Sequence, residues 1–321
     1  MNFFVNNAIH HTEVYDTYWR FAYERQNIFM KKAQGLEPPW TSDEILQNYK
    51  FTNAYRASDR VSQYLIRNVI YVDGLSAEDI LFRILLFKIF NKIETWEYLE
   101  RQLGEICYKS YSHKIYSNIL NQMFTDEMTI YSNAYIMPSG KSEFGHVRKF
   151  ENHLSLIELM IDSHLLLQVE NCKSLQQLYL LLLQYPTIGS FLAFQYAIDI
   201  NYSELCDFNE MEFVVAGPGA KSGIRKCFSD IGRYSESDII RFVAENQVQE
   251  FSKRDLEFKN LWGRNLQLID CQNLFCETDK YSRVAHPNIK GLSSRTRIKQ
   301  KYTSSNRELE LFYPPKWNLN Y

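Results

Sequence analysis

The sequence predicts an all-α fold. Two observations carry that reading. Apolar residues recur at three- and four-residue steps through most of the chain, with serine or threonine caps opening several of these runs. Strand-like segments are few. At 321 residues the chain is long enough to bury a full core, as one large domain or two lobes. It is 45% hydrophobic and 15% aromatic, a globular rather than disordered composition. The net charge of −2 argues against a generally adhesive polycation, so any contact with nucleic acid must come from a local basic surface. The six cysteines show no zinc or iron–sulfur spacing, and reduced, mostly buried thiols are expected. No metal or other cofactor is called for. The N-terminus has no basic segment followed by an apolar run, and the longest apolar run, Leu178–Leu183, is too short for a bilayer. A cytoplasmic location is expected.

In chain order, residues Asp16 to Ala33 read as a helix with aromatics on roughly one side, stopped by Gly35. Thr41 and Glu44 make a capping box for a helix Ser42–Lys50. Asn53, Arg56, Asp59, Arg60 and Gln63 then recur at three- and four-residue steps, which would place them on one helical stripe. Such a stripe is either a solvated surface or a site for a phosphate or a base edge. Ser76 and Asp79 open a core helix over Ile80–Phe90, and a second helix follows the polar turn. Residues 104–160 read as helical with an extended interruption at Tyr131–Pro138. His146, between Gly140 and Gly145, has no paired carboxylate or nucleophile nearby in sequence and reads as a surface histidine. Further helices are expected at His146–Asn171, Ser174–Gln184 and Thr187–Asp199, the last placing Gln195 and Asp199 four residues apart.

The stretch from Val215 to Tyr281 organises the rest. Gly217-Pro218-Gly219 predicts a tight turn with free amide N–H groups, followed by a helix from Lys221 to Cys227, a ready site for a phosphate. Asp270 follows an apolar triplet where another helix would begin. Beyond Tyr281, seven lysines and arginines fall between Lys280 and Lys301 with no acid among them. That run is either a solvated tail or a footprint for a nucleic-acid backbone.

The glycine turn with Lys221 two residues on, and the later Asp270, resemble the helix-hairpin-helix DNA glycosylases. The 49 positions from Lys221 to Asp270 (270 − 221) depart from that family's shorter gap and imply an insertion around 228–266. Five ordered motifs narrow the likeness: Pro39-Trp40-Thr41; Phe51-Thr52-Asn53-x-Tyr55-Arg56-x-x-Asp59-Arg60; Gly189-x-Phe191-Leu192-Ala193-x-Gln195; Gly217-Pro218-Gly219-Ala220; and Asp270-x-Gln272-Asn273-x-x-Cys276-Glu277-x-x-Lys280-Tyr281. Together they resemble the alpha-glutamyl/putrescinyl thymine pyrophosphorylase-like clade of that superfamily, and the helical domain of the 5-hydroxymethyl-deoxyuridine DNA kinases is similar. No G-x-x-x-x-G-K-[ST] motif is present, so a fused kinase half is not expected.

The resemblance implies a two-lobed helical fold with a cleft between lobes, a glycosylase-like domain over residues 1–285 with its hairpin near 215–227, and a basic, aromatic extension over 286–321. It implies an enzyme that flips out and excises a hypermodified pyrimidine, such as a glucosylated 5-hydroxymethyl base, from phage DNA as anti-phage defence. Its partner would be double-stranded DNA carrying modified pyrimidines, with no membrane and no obligate protein partner. Asp270 would stabilise the cationic sugar. Lys221 would be either a Schiff-base nucleophile or a phosphate contact. The amides of Gly217 and Gly219 would hold the backbone. Asn53, Arg56, Asp59, Arg60, Gln63, Gln195, Gln272, Asn273, Glu277 and Lys280 complete the candidate DNA- and base-binding set, Glu277 and Lys280 as an ion pair beside Asp270. A base-modifying transferase or a non-catalytic DNA-binding module are the alternatives.

Overall fold

The computed structural model describes residues 9–303 and 310–321. The described residues are mostly helical, with one two-stranded sheet. They form two compact units: one from the described parts of Met1–Asp59, Phe213–Leu311 and Trp317–Tyr321, the other from Arg60–Glu212 and Phe312–Lys316.

The first unit opens with β1 (His10–His11) and α1 (Glu13–Ala33). Thr12 caps α1 through its side chain, and acids in the first turn with lysines in the last suit the helix dipole. Tyr15, Tyr18, Trp19, Ala22, Gln26 and Phe29 are buried along its length. The helix α2 (Glu44–Asn48) is shorter than expected and is capped by Asp43, whose Oδ1 accepts the Leu46 N–H at 3.0 Å. Thr41, the expected cap, instead donates to Glu24 at 2.8 Å. Asp43, two residues nearer the helix, takes the cap position directly before Glu44. Residues 51–59 are not helical apart from one 3₁₀ turn at Arg56–Ser58.

The second unit begins with α3 (Arg60–Tyr64), which widens into π turns over Leu65–Ile70. The buried Arg83 guanidinium takes the Asn68 and Val69 carbonyls at the end of that wide stretch and the Ile106 carbonyl, at 2.8 to 2.9 Å. Arg83 lies on α4 (Ala77–Phe90), which the expected Ser76–Asp79 capping box starts and Asn91 ends in a left-handed conformation. The unit continues with α5 (Ile93–Leu103), α6 (His113–Thr125), α7 (Lys141–Phe144), α8 (Lys149–Asp162), α9 (Leu165–Asn171), α10 (Leu175–Leu182) and α11 (Ser190–Asn201). The expected single helix at 146–171 is thus broken at His164, which is left-handed (φ 58°). The stretch at 131–138 forms no strand; His153 pins it, its ring nitrogens meeting Tyr131 Oη at 2.9 Å and the Pro138 carbonyl at 2.7 Å. Inside this unit α4 and α11 share a buried ion pair, Lys88 to Asp199 at 2.7 Å.

The chain then returns to the first unit with α12 (Pro218–Cys227), β2 (Phe228–Asp230), α13 (Glu236–Ser252) and α14 (Leu268–Ala285). β2 pairs antiparallel with β1, and the Thr12 N–H meets the Cys227 carbonyl at 2.9 Å. The segment 228–266 is an integral part of the core: Ile239, Ile240, Val243, Phe251, Leu261 and Leu266 are buried, and Gln247 holds both backbone groups of Leu266. α12 and α14 cross at contact distance. A Cβ on Gly223 would overlap the Phe275 carbonyl oxygen, and one on Gly219 would overlap the Cys276 Sγ. No helix among the described residues is long and apolar enough to cross a membrane.

Because backbone cannot yield at the crossing, Gly223→Ala is expected to cost about 2 to 3 kcal/mol, read as a lowered Tm in thermal unfolding. Gly189→Ala, where a Cβ meets nothing within 4 Å, is expected to cost less than about 1 kcal/mol.

Candidate functional site

The site is built where α14 begins. Leu268 and Ile269 are buried apolar residues that pull the helix start inward, and Asp270 rides in behind them at the third position, 4% exposed. Its Oδ2 accepts the Gln267 N–H at 2.9 Å, closing a capping box. Its Oδ1 accepts the Arg56 N–H at 2.7 Å, from the 3₁₀ turn of the 51–59 loop. One carboxylate therefore starts a helix and fixes a loop more than two hundred residues away in sequence. Its charge also helps raise the Tyr55 hydroxyl and the Cys271 thiol, in both of which burial is the larger cause.

The 51–59 loop is braced from three sides. Arg25, buried on α1, donates to the Thr52 carbonyl at 2.9 Å and to Asn53 Oδ1 at 2.8 Å. Asp59 Oδ1 accepts the Asn53 N–H at 2.7 Å, and Asn53 Nδ2 donates to the Ser58 carbonyl at 2.7 Å, which closes the loop on itself. Glu277, two turns beyond Asp270 on α14, accepts the Thr52 N–H at 3.0 Å and pairs with Lys280 at 3.3 Å, the ion pair that the spacing anticipates. Burial pushes the Asp59 carboxyl up to about 7; the Glu277 charge adds to the effect, while the Asn53 N–H, Arg25 and Arg56 oppose it. A carboxyl that exchanges its proton near neutrality thus sits three residues from the Arg56 amide on Asp270.

The comparisons with known proteins bear on this arrangement. Residues 12–291 match the family described as the 5-hmdU DNA kinase helical domain. The chain belongs to that family. It is 28% identical over 287 residues to the 5-hmdU DNA kinase of Bacillus phage SP10, an alignment covering 84% of this chain and 45% of that one. The chain therefore spans about half the length of that relative. No solved structure matches it.

Within this helical domain, the expected residues separate into groups. Asn53, Arg56, Asp59, Asp270 and Glu277 are joined by the bonds above, with Lys280 beside Glu277. Asn53, Arg56 and Asp59 are not on one helical stripe with Arg60 and Gln63: the backbone from 51 to 59 is a loop, because the Asn53 and Asp59 side chains offer it local partners that compete with helix hydrogen bonds. Arg60 and Gln63 belong to the second unit, as does Gln195. There Arg60 meets Glu94 at 3.8 Å, Gln63 Oε1 accepts the Phe312 N–H at 2.7 Å, and Gln195 is fully buried on α11. Asp199, one turn beyond Gln195, is occupied by Lys88.

The glycine turn also differs from expectation. Helix α12 starts at Pro218, with Gly217 as its cap residue, so Gly219 lies in the first helical turn. Proline suits that first position because its missing N–H would have no helical partner there. Lys221 is exposed on the same turn. Gln272 is buried with its amide oxygen unpaired among the described residues, and Asn273 is partly exposed. Among the described residues no three His, Cys, Asp or Glu side chains form a metal-binding group.

Sequence reasoning missed Arg25 and Asp279. Arg25 follows Tyr18 and Ala22 at helical steps, so its place in a buried stripe was a readable signal. Asp279, 2% exposed, gathers Ser222 at 2.8 Å, Lys226 at 3.2 Å and Arg283 at 2.6 Å; the four-residue step to Arg283 is a readable signal, while nothing in the linear spacing marks Ser222 or Lys226.

The Asp59 carboxyl keeps its proton in the folded chain up to about 7 but releases it near its ordinary 3.8 when unfolded. Its contribution to stability is thus full below about 4, is lost as pH rises to about 7 and is constant above. Asp59→Asn retains an acceptor for Asn53 and removes that titration. The Tm of the variant relative to the wild type is expected to climb between pH 4 and 7 and then level off, in parallel thermal melts.

Proposed function

We propose that this chain binds double-stranded DNA carrying a hydroxymethylated or further modified pyrimidine, takes the base out of the stack and breaks its N-glycosidic bond. Three things support the reading. The chain belongs to a family named for 5-hmdU DNA kinases, and its Bacillus phage SP10 relative carries that name. Its five ordered motifs resemble the pyrophosphorylase-like clade of the helix-hairpin-helix glycosylases. The observation that carries most weight is Asp270: a buried carboxylate held rigidly by two backbone N–H groups, at a helix start on the element that packs against α12.

In this reading the bond from C1′ to the base nitrogen breaks with its electron pair leaving on the base. Positive charge builds on the sugar, and Asp270 offsets it without having to reorganise. Water adds its oxygen at C1′ and releases a proton, and the departing base takes one up. A modified base in a duplex must first be extruded for any of this to occur. The start of α12, with Gly217 and the exposed Lys221, takes the phosphate beside the extruded nucleotide. We assign Lys221 to that contact rather than to a Schiff base, because a nucleophilic lysine needs a desolvated setting.

A second reading is favoured by the same carboxylate: both Asp270 oxygens already serve backbone donors, as in a purely structural hub. The domain would then recognise the modified base for chemistry carried out elsewhere, such as phosphorylation or substitution of its hydroxymethyl group. The experiment is incubation with matched duplexes containing 5-hydroxymethyluracil, glucosylated 5-hydroxymethylcytosine or unmodified pyrimidines, followed by alkaline strand scission and mass spectrometry of released small molecules. Excision predicts a free base and abasic sites with one modified substrate, and a loss of about 100-fold or more in rate for Asp270→Asn. Tight binding of modified DNA with no base released assigns the recognition role instead.

A further inference from the structure

The segment after α14 is a strap with a regular charge pattern. It leaves the helix and turns back at Gly291, where a Cβ would overlap the Ser222 hydroxyl of α12. The Ser293 N–H meets that same hydroxyl at 3.2 Å. The Arg297 carbonyl then accepts from Arg283 near the end of α14 at 3.4 Å. Farther on, the Gln300 carbonyl accepts the Lys50 N–H at 3.1 Å and the Tyr302 N–H reaches the Asn48 carbonyl at 3.0 Å. The Lys301 amine lies 4.2 Å from the Tyr49 ring centre. The strap therefore runs within the first unit from α12, past the end of α14, to the chain that leads into the 51–59 loop.

Its cations occupy alternate positions: Arg295, Arg297, Lys299 and Lys301 are all exposed. Ile298, on the opposite register, is 8% exposed and is the inward anchor. On an extended backbone, residues two apart share a side and lie roughly 6.5 to 7 Å apart. None of the four makes an ion pair with a described acidic residue, and Lys280–Lys301 contains no acid. A solvated tail has no need of this repeat or of four separate anchors. The strap after residue 291 also lies outside the part of the chain that matches the family.

We propose that this strap is a phosphate-binding strip that tracks one strand of a nucleic-acid backbone and leads it toward the 51–59 loop. The ligand class is the phosphodiester chain itself, read without regard to base. Because the strap is already docked, little ordering entropy is lost on binding. The proposal rests on the reading of the chain as DNA-binding but not on any chemistry at the base.

The test compares the wild type with a quadruple variant, R295Q/R297Q/K299Q/K301Q, by fluorescence anisotropy on an unmodified duplex across a salt series. A variant with Lys114 and Lys173, exposed in the second unit, changed to Gln serves as the charge control. Loss of four phosphate contacts is expected to reduce the slope of log K against log salt by about 3 to 4, with Tm unchanged and the control variant like the wild type. With a cleavable substrate, the quadruple variant is expected to raise KM and leave kcat alone. An unchanged slope overturns the strip even if abasic sites form. Absence of abasic sites alongside a reduced slope overturns excision and upholds the strip. Tighter binding of the wild type to phosphatidylserine vesicles than to the duplex at equal salt overturns it in favour of a membrane surface.

Discussion

The first unit depends on how closely α12 and α14 cross. Gly219 and Gly223, one helical turn apart, remove the side chains that would hold the helices away from each other. Backbone then meets backbone at Phe275, and Asp279 can reach Ser222 and Lys226 on the facing helix. A buried carboxylate with a lysine, an arginine and a hydroxyl around it is satisfied only in that geometry. Removing one partner would leave charge buried without compensation, so the network fixes the crossing more sharply than apolar contact alone. The same hydroxyl of Ser222 then receives the chain at Ser293, so one helix crossing also sets where the C-terminal strap lies.

From that crossing the position of Asp270 follows. It is carried on α14, and its carboxylate meets the Arg56 amide only because the 51–59 loop is held in shape by Arg25, Asn53 and Asp59 and tied to Glu277. The loop has almost no regular hydrogen bonding of its own, so side chains replace the ladder a helix would have supplied. This makes the arrangement rigid without a secondary-structure element. It also gathers three carboxylates and two arginines in a small volume; burial, aided by the Glu277 charge and opposed by Arg25 and Arg56, lets Asp59 hold a proton near neutral pH. The second unit solves its own polar problem in the same way: Lys88 and Asp199 neutralise each other inside an apolar helical packing, and Arg83 collects the carbonyls that the π turns leave behind.

The helical class and most of its elements were legible in the linear sequence. Ser76 with Asp79 marked the start of α4, the aromatics after Asp16 marked α1, and the apolar triplet before Asp270 marked the start of α14. The errors fell where local chemistry offered two outcomes. Thr41 and Asp43 both suit a helix cap, and the three-dimensional position of Glu24 drew Thr41 away. Polar residues at three- and four-residue steps after Asn53 looked like a helix face, yet asparagine and aspartate also fold loops.

What the sequence by itself determined is the inventory: helices, a glycine-bearing start for α12, an acid at the start of α14 and a basic run beyond it. Periodicity and capping are local, so a linear reading reaches them. Only the tertiary structure decided what each piece meets. Gly219 and Gly223 became contact points for another helix, Arg25 became the brace of a loop, and alternate cations in the strap came to lie outward with Ile298 beneath. Those outcomes depend on contacts between residues far apart in the chain, whose geometry no local pattern encodes.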